Sequence, residues 1–172
     1  MPQNVFVGRD AREYDAYEAM VSEPAPVAPA VAFLVYDTIQ NLLDQAEQVE
    51  CFRNAAAHLA PGGRFVIERG IPAIRRLPPG AIAVPFDVSE QHLGFDTFDL
   101  SRQRLTSHHY FRSAGGEAVY AASHHRFVWP AELDLMAQLA RMRLRERWAD
   151  WDRAPFTSES ATHISVWELP PR

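Results

Sequence analysis

The side chains best suited to acid–base work in this sequence come as two adjacent histidine pairs, His108-His109 and His124-His125. Both lie in stretches that read as β-strand, where neighbours point to opposite faces. Leu105, Ser107, His109 and Phe111 then share one face, and Arg104, Thr106, His108 and Tyr110 share the other. The same counting groups His125 with Phe127 and Trp129, opposite His124 and Arg126. We therefore expect His109 and His125 to face inward among aromatic rings, with His108 beside Tyr110 as the second choice. A neutral imidazole held next to a substrate amine or hydroxyl serves as a general base near neutral pH. The competing expectation is a histidine hydrogen-bonded on a half-buried sheet. No metal site is expected, because no His-x-x-x-His helical spacing and no cysteine partner accompany these pairs.

Other chemistries are removed by composition. All 17 cationic residues are arginine, so there is no Schiff-base lysine, no P-loop lysine and no serine–lysine dyad. The single cysteine, Cys51, excludes an internal disulfide framework and reads as a small buried hydrophobe on a helix. A formal charge of −5 argues against a nucleic-acid partner, which requires a cationic surface. No apolar run approaches the ~20 residues needed to span a bilayer, and residues 1–10 lack the pattern of a secretory signal. A cytoplasmic protein that binds a small molecule is the expectation.

The elements that must position these residues follow from hydrophobic periodicity. The 172 residues allow one domain with a real core. Residues 10–21 suit a short helix with Tyr14, Tyr17 and Val21 on one face, and the proline-rich stretch 24–29 ends it, so 1–29 reads as an N-terminal helix and arm. Residues 30–36 form an apolar run that suits a strand buried on both faces. Residues 44–60 read as a helix, with Asp44 as N-cap, Glu47 completing a capping box, and Val49, Phe52, Ala56 and Leu59 as the buried stripe. Pro61-Gly62-Gly63 stops it, and 64–68 is a second buried strand. Strand, helix, strand implies a parallel pair.

Residues 71–128 change character and read as an antiparallel lid, with 97–111 and 117–128 as strands around a Gly115-Gly116 turn. Trp129-Pro130 opens another helix, with Leu133, Met136, Leu139 and Ala140 inward. Residues 143–151 and 162–169 close the chain as an antiparallel pair, and the arginines from Arg141 to Arg147 are expected on a solvated face.

Several segments together resemble the C-terminal half of the class I S-adenosylmethionine-dependent methyltransferases. They are Leu34-Val-Tyr-Asp-Thr-Ile-Gln-Asn-Leu-Leu43, the run from Glu47 through Pro61-Gly-Gly63 to Ile67, Leu105-Thr-Ser-His-His-Tyr110, and Phe127-Val-Trp-Pro-Ala-Glu-Leu-Asp-Leu-Met136. The later ones are similar to bacterial members that modify sugar amines or other specialised metabolites. The resemblance covers about four-fifths of the chain and implies an α/β fold: a partial Rossmann-like sheet, equivalent to the family's fourth to seventh strands, with the antiparallel lid inserted. It also implies a crevice beyond the strand ends, with Asp37, Thr38 and Asn41 after one strand and Glu68 after the next. Full-length relatives often carry an amide at the Asp37 position, and the carboxylate here is either a new catalytic group or a cap for its own loop. For Glu68 the competing expectation is an ion pair with a nearby arginine. In similar enzymes the N-terminal helix folds over the active site, which would turn Tyr14 and Tyr17 toward ligand.

The departure from the family pattern concerns its cofactor. The methionine end of S-adenosylmethionine sits on a glycine-rich turn after the first strand, where missing side chains let backbone approach the ligand. No glycine occurs here between Gly8 and Gly62. The nucleotide half therefore reads as excised near Phe33-Leu34, no cofactor is expected, and the strand at 30–36 becomes an edge that invites pairing with another chain. That implies a homodimer, or a heterodimer with a full-length methyltransferase-like homologue. Three roles follow: a truncated enzyme acting without S-adenosylmethionine through His109, His125, His108 and Asp37, with Tyr14, Tyr17, Thr38, Asn41, Glu68, Tyr110, Phe127 and Trp129 binding substrate; a non-catalytic partner subunit; or a methyltransferase whose cofactor is held by a partner chain.

Overall fold

The computed structural model describes residues 3–4, 30–113 and 115–171. The expected N-terminal helix and proline-rich arm, with Tyr14 and Tyr17, lie outside the described residues. The described chain is a mixed α/β fold with two sheets. It forms two compact units: residues 30–72 with 128–171, and residues 73–127 with the short strand β1 (Gln3–Asn4).

In the first unit, β2 (Val31–Leu34) pairs in parallel with β3 (Arg64–Gly70), and α1 (Gln45–His58) connects them. The helix starts where the capping box was expected, with the Asp44 N–H donating to Glu47 Oε2 at 2.9 Å. It ends at Leu59, where the backbone turns extended at φ −73° and ψ 142°, and Gly62 takes φ +82° in the turn that follows, a conformation that a side chain disfavours. Helix α2 (Pro130–Leu139) follows with proline in its first turn, and β8 (Arg143–Trp148) pairs antiparallel with β9 (Thr162–Glu168). The sheet order is β2-β3-β9-β8.

The core is an aromatic triad of Phe52, Phe65 and Trp167, with Phe52 edge-on to the other two at 5.1 and 5.2 Å. Ile39, Ile67, Val128, Leu133, Met136 and Met142 enclose it. Truncating a ring such as Phe52 in this setting costs ~3–5 kcal/mol.

Three expectations are corrected here. Strand β2 is not buried on both faces: Ala32 and Leu34 pack on the core, but Val31 and Phe33 are 51% and 66% exposed. No described element covers that second face of β2, so its apolar residues stay in water. Leu139 is exposed, and Ala137 takes the inward place because the stripe follows 133, 136, 137 and 140. Arg147 is not on a solvated face; it forms a two-pronged ion pair with Asp134 at 2.7 and 3.2 Å.

The second unit is a five-stranded sheet in the order β1-β7-β6-β5-β4, with β4 (Ala83–Val88), β5 (His92–Asp99), β6 (Arg104–Arg112) and β7 (Ala118–Arg126) running as an antiparallel meander. The single strand expected over 97–111 is two strands. The Asp99 carboxylate accepts the N–H groups of Ser101 and Arg102 at 3.0 and 3.2 Å and folds the chain back, with Gln103 at φ +52°. A β-bulge between Pro85 and Asp87 makes Phe86 an extra residue on β4.

Candidate functional site

Register within the meander brings together residues that are distant in sequence. Gly94 of β5 lies opposite His109 of β6, and Asp87 of β4 lies opposite Gly94. The absence of a side chain at Gly94 leaves room for the bulged Phe86 ring, which a Cβ there would strike. His92 enters from the start of β5. Its Nδ1 lies 2.6 Å from Asp87 Oδ2, and its Nε2 lies 2.9 Å from His109 Nδ1.

The proton positions follow from the acceptor at the end of the chain. A carboxylate only accepts, so a neutral His92 donates through Nδ1–H to Asp87 and presents Nε2 as an acceptor. His109 then donates through Nδ1–H to His92, and its own Nε2 carries a lone pair. The planes of the two imidazoles are nearly parallel, 5° apart with centroids at 5.1 Å, and Phe111 stacks on His92 at 4.4 Å. Phe86 stands against His109 at 5.3 Å. Burial holds the His109 pKa below its ordinary value, with neighbouring His92 adding to the effect and Asp96 opposing it. Asp96 itself, bonded to the Ser107 hydroxyl, is pushed up by burial despite that bond. The arrangement is a carboxylate–imidazole–imidazole chain ending in a half-buried base, the pattern by which a third group orients a general base.

The expected partners of His109 are distributed differently. His125 is on the same face, but opposite Leu105, four positions along the strand or about 13 Å away. It is buried, with Nε2 at 2.8 Å from the Ser123 hydroxyl. His108 is on the other face, held between Tyr120 Oη at 2.8 Å and Thr97 Oγ1 at 3.0 Å, with both ring nitrogens engaged. Tyr110 shares that face, 4.8 Å from the Tyr120 ring. Phe127 is fully buried against Phe98.

In the first unit, Asp37 accepts from the Arg69 guanidinium and from the Gly70 N–H at 2.6 Å, both on β3, and its side chain makes no capping bond to its own turn, contrary to that expectation. Thr38 donates its hydroxyl to the Val35 carbonyl, Asn41 is exposed, and Trp129 is half-buried at the N-cap of α2. Glu68 has no arginine partner among the described residues; it accepts the Tyr36 N–H at 3.2 Å and the Trp151 indole N–H at 3.1 Å. Sequence reasoning reached His109 but missed Asp87, His92 and Asp96. Only the alternation Asp87, His92, Gly94, Asp96 on either side of the Ser89 turn hinted that they share a face. Burial also raises the Cys51 thiol to about 11, so it is unreactive at neutral pH. No three-residue metal cluster occurs among the described residues.

The fold matches solved methyltransferases. The CcbJ methyltransferase of Streptomyces caelestis is 34% identical over 86% of this chain, with a TM-score of 0.75. The chain is related to the class I S-adenosylmethionine-dependent methyltransferases. It spans 60% of the CcbJ chain. An S-adenosylmethionine-dependent methyltransferase from Clostridium acetobutylicum shares the fold at 8% identity, with a TM-score of 0.67 over 94% of this chain and 70% of that one. CalS10, an amino pentose methyltransferase from Micromonospora echinaspora, shares it at 17% identity and a TM-score of 0.59, over 87% and 62% of the two chains. No family model and no curated protein matches the sequence.

The family cofactor makes two demands on its crevice. A strand-end carboxylate for the ribose and a glycine turn for the methionine end are what the crevice must supply. At the carboxyl ends of β2 and β3, the Asp37 carboxylate is taken up by Arg69 and Gly70, while Glu68 accepts one neutral donor on each oxygen, from Tyr36 and Trp151. β2–β3 is the one parallel pair of its sheet among the described residues, and no glycine lies between Gly8 and Gly62 in the sequence.

Proposed function

We propose that this methyltransferase relative acts without S-adenosylmethionine, binding a small metabolite of bacterial specialised metabolism and moving a proton with His109. The observation that carries this reading is the Asp87–His92–His109 chain, with hydrogen bonds of 2.6 and 2.9 Å. Asp87 and His92 fix the tautomer, and the Phe86 and Phe111 rings pack against the imidazoles. His109 Nε2 takes a proton from an amine, hydroxyl or carbon acid, and returns it as cyclisation, displacement or isomerisation proceeds. The depressed His109 pKa keeps the base unprotonated to below its ordinary value of 6.5. Sugar amines and related amino metabolites are the substrates to screen, because KedS8 is a sugar N-methyltransferase and CalS10 acts on an amino pentose.

The test has two arms. Calorimetric titration of the chain with S-adenosylmethionine gives no binding heat; tight binding overturns the cofactor-free reading. With a substrate identified by screening amino sugars, His109→Ala abolishes turnover and leaves the melting midpoint nearly unchanged, whereas undiminished turnover removes His109 as the base.

The exposed apolar face of β2 favours a second reading, in which the chain is a non-catalytic subunit that pairs through this strand with a second copy or a full-length homologue. Sedimentation would then show a dimer or a mixed complex that Phe33→Glu dissociates; a monomer at all concentrations, alone and with the homologue, excludes it.

A further inference from the structure

The turn after β2 carries two consecutive non-glycine residues in the left-handed region, Tyr36 at φ 53° and Asp37 at φ 58°. Such backbone is unfavourable for side chains with a Cβ and persists only where surrounding bonds enforce it. Here Arg69 and the Gly70 N–H hold the Asp37 carboxylate, and the Thr38 N–H reaches the Val35 carbonyl at 3.2 Å. The outcome is that Tyr36 turns its N–H onto Glu68 and leaves its side chain in water, 88% exposed. Trp151, 55% exposed, donates its indole N–H to the other Glu68 oxygen.

Glu68 is thus a carboxylate oriented by two neutral donors, one on each oxygen, with no cation paired to it among the described residues. Each oxygen keeps a further lone-pair site, and the full negative charge stays available. Its β3 neighbour Arg69 points to the opposite face and is taken up by Asp37. The carboxylate sits at the carboxyl ends of the parallel pair β2–β3, the side on which open α/β sheets receive ligands. One exposed indole touches it directly, and an exposed phenol springs from the residue that donates to it. The loop that carries Trp151 also brings the Arg153 guanidinium 4.5 Å over the ring of Trp148, the last residue of β8.

We propose that Glu68, Trp151 and Tyr36 form a binding site for the alkylammonium group of a small ligand. The carboxylate neutralises the charge and the two aromatic faces shield its carbon substituents, which is how quaternary and methylated amines are held. This site stands whether or not His109 acts as a base.

The experiment uses the full chain labelled with nitrogen-15, with tetramethylammonium chloride as probe and sodium chloride at equal ionic strength as control. Four tryptophans give four indole N–H resonances, and Trp151→Phe identifies the one that belongs to the site. Tetramethylammonium shifts that resonance saturably, and sodium chloride does not. Glu68→Gln keeps the side chain's size and an acceptor oxygen but removes the charge, and it weakens binding roughly tenfold or more. Tyr36→Leu, at a side chain that bears no packing load, weakens binding with an unchanged melting midpoint. A shift that does not saturate, or one matched by sodium chloride, overturns the proposal. So does unaltered affinity in Glu68→Gln and Tyr36→Leu.

Discussion

Two histidines of this chain, His109 in the antiparallel meander and His163 in the mixed sheet, sit in networks built from the same residue types and do opposite things. His163 is fully buried on β9, with Nδ1 at 2.8 Å from the Ser165 hydroxyl. Ser165 also accepts from Arg147 Nε at 2.7 Å, and Arg147 grips Asp134, which in turn accepts the Trp167 indole N–H at 2.9 Å. Every charge there has its opposite, and burial followed by repulsion from Arg147 and Arg69 drives the His163 pKa down to about 4. His109, by contrast, ends a chain whose first member, Asp87, is 42% exposed at its side chain. A network closed by ion pairs and core aromatics stabilises a fold. One that ends on a half-buried imidazole beside solvent can exchange a proton.

The largest effect that tests this contrast is expected in the closed network. Asp134→Ala leaves the half-buried Arg147 without its carboxylate and the buried Trp167 N–H without an acceptor, and should cost about 3 kcal/mol. Urea denaturation measures it, and a loss under 1 kcal/mol would dissolve the distinction between the two clusters. Acid comes next. The folded pKa of His163 lies below its unfolded value, so its contribution to stability is complete above pH 6.5 and is lost as pH falls toward about 4. The loss amounts to ~3 kcal/mol, read as a fall in melting midpoint over that window and abolished in His163→Phe if the ring packs equally. The smallest effect on stability, below ~1 kcal/mol, belongs to Asp87→Ala, because the carboxylate is partly in water. Its consequence is chemical: without the terminal acceptor, nitrogen-15 shifts of the His109 ring should show both tautomers instead of one. A single tautomer retained in Asp87→Ala would mean that the chain does not orient the base.

Legibility followed the range of the interaction that decides each feature. The capping box at Asp44, the glycine turn at Gly62, the parallel pair and the proline-started helix are written in local spacing, and they stand in the structure, although the helix itself ends earlier, at an extended Leu59. The division of β6 into two faces was equally legible, since side-chain alternation is a property of the strand itself. The partners of His109 were not. They depend on the register between β4, β5 and β6 and on a bulge at Phe86, which hydrophobic pattern does not specify along half-exposed strands. The residue types alone determined that these 172 residues hold no lysine, a single cysteine and no glycine between Gly8 and Gly62, because composition is a property of the sequence itself. Only the tertiary structure decided which histidine is enclosed, which ends a hydrogen-bonded chain and which carboxylate has no cation beside it among the described residues, because burial and pairing arise from residues far apart in the chain meeting across strands.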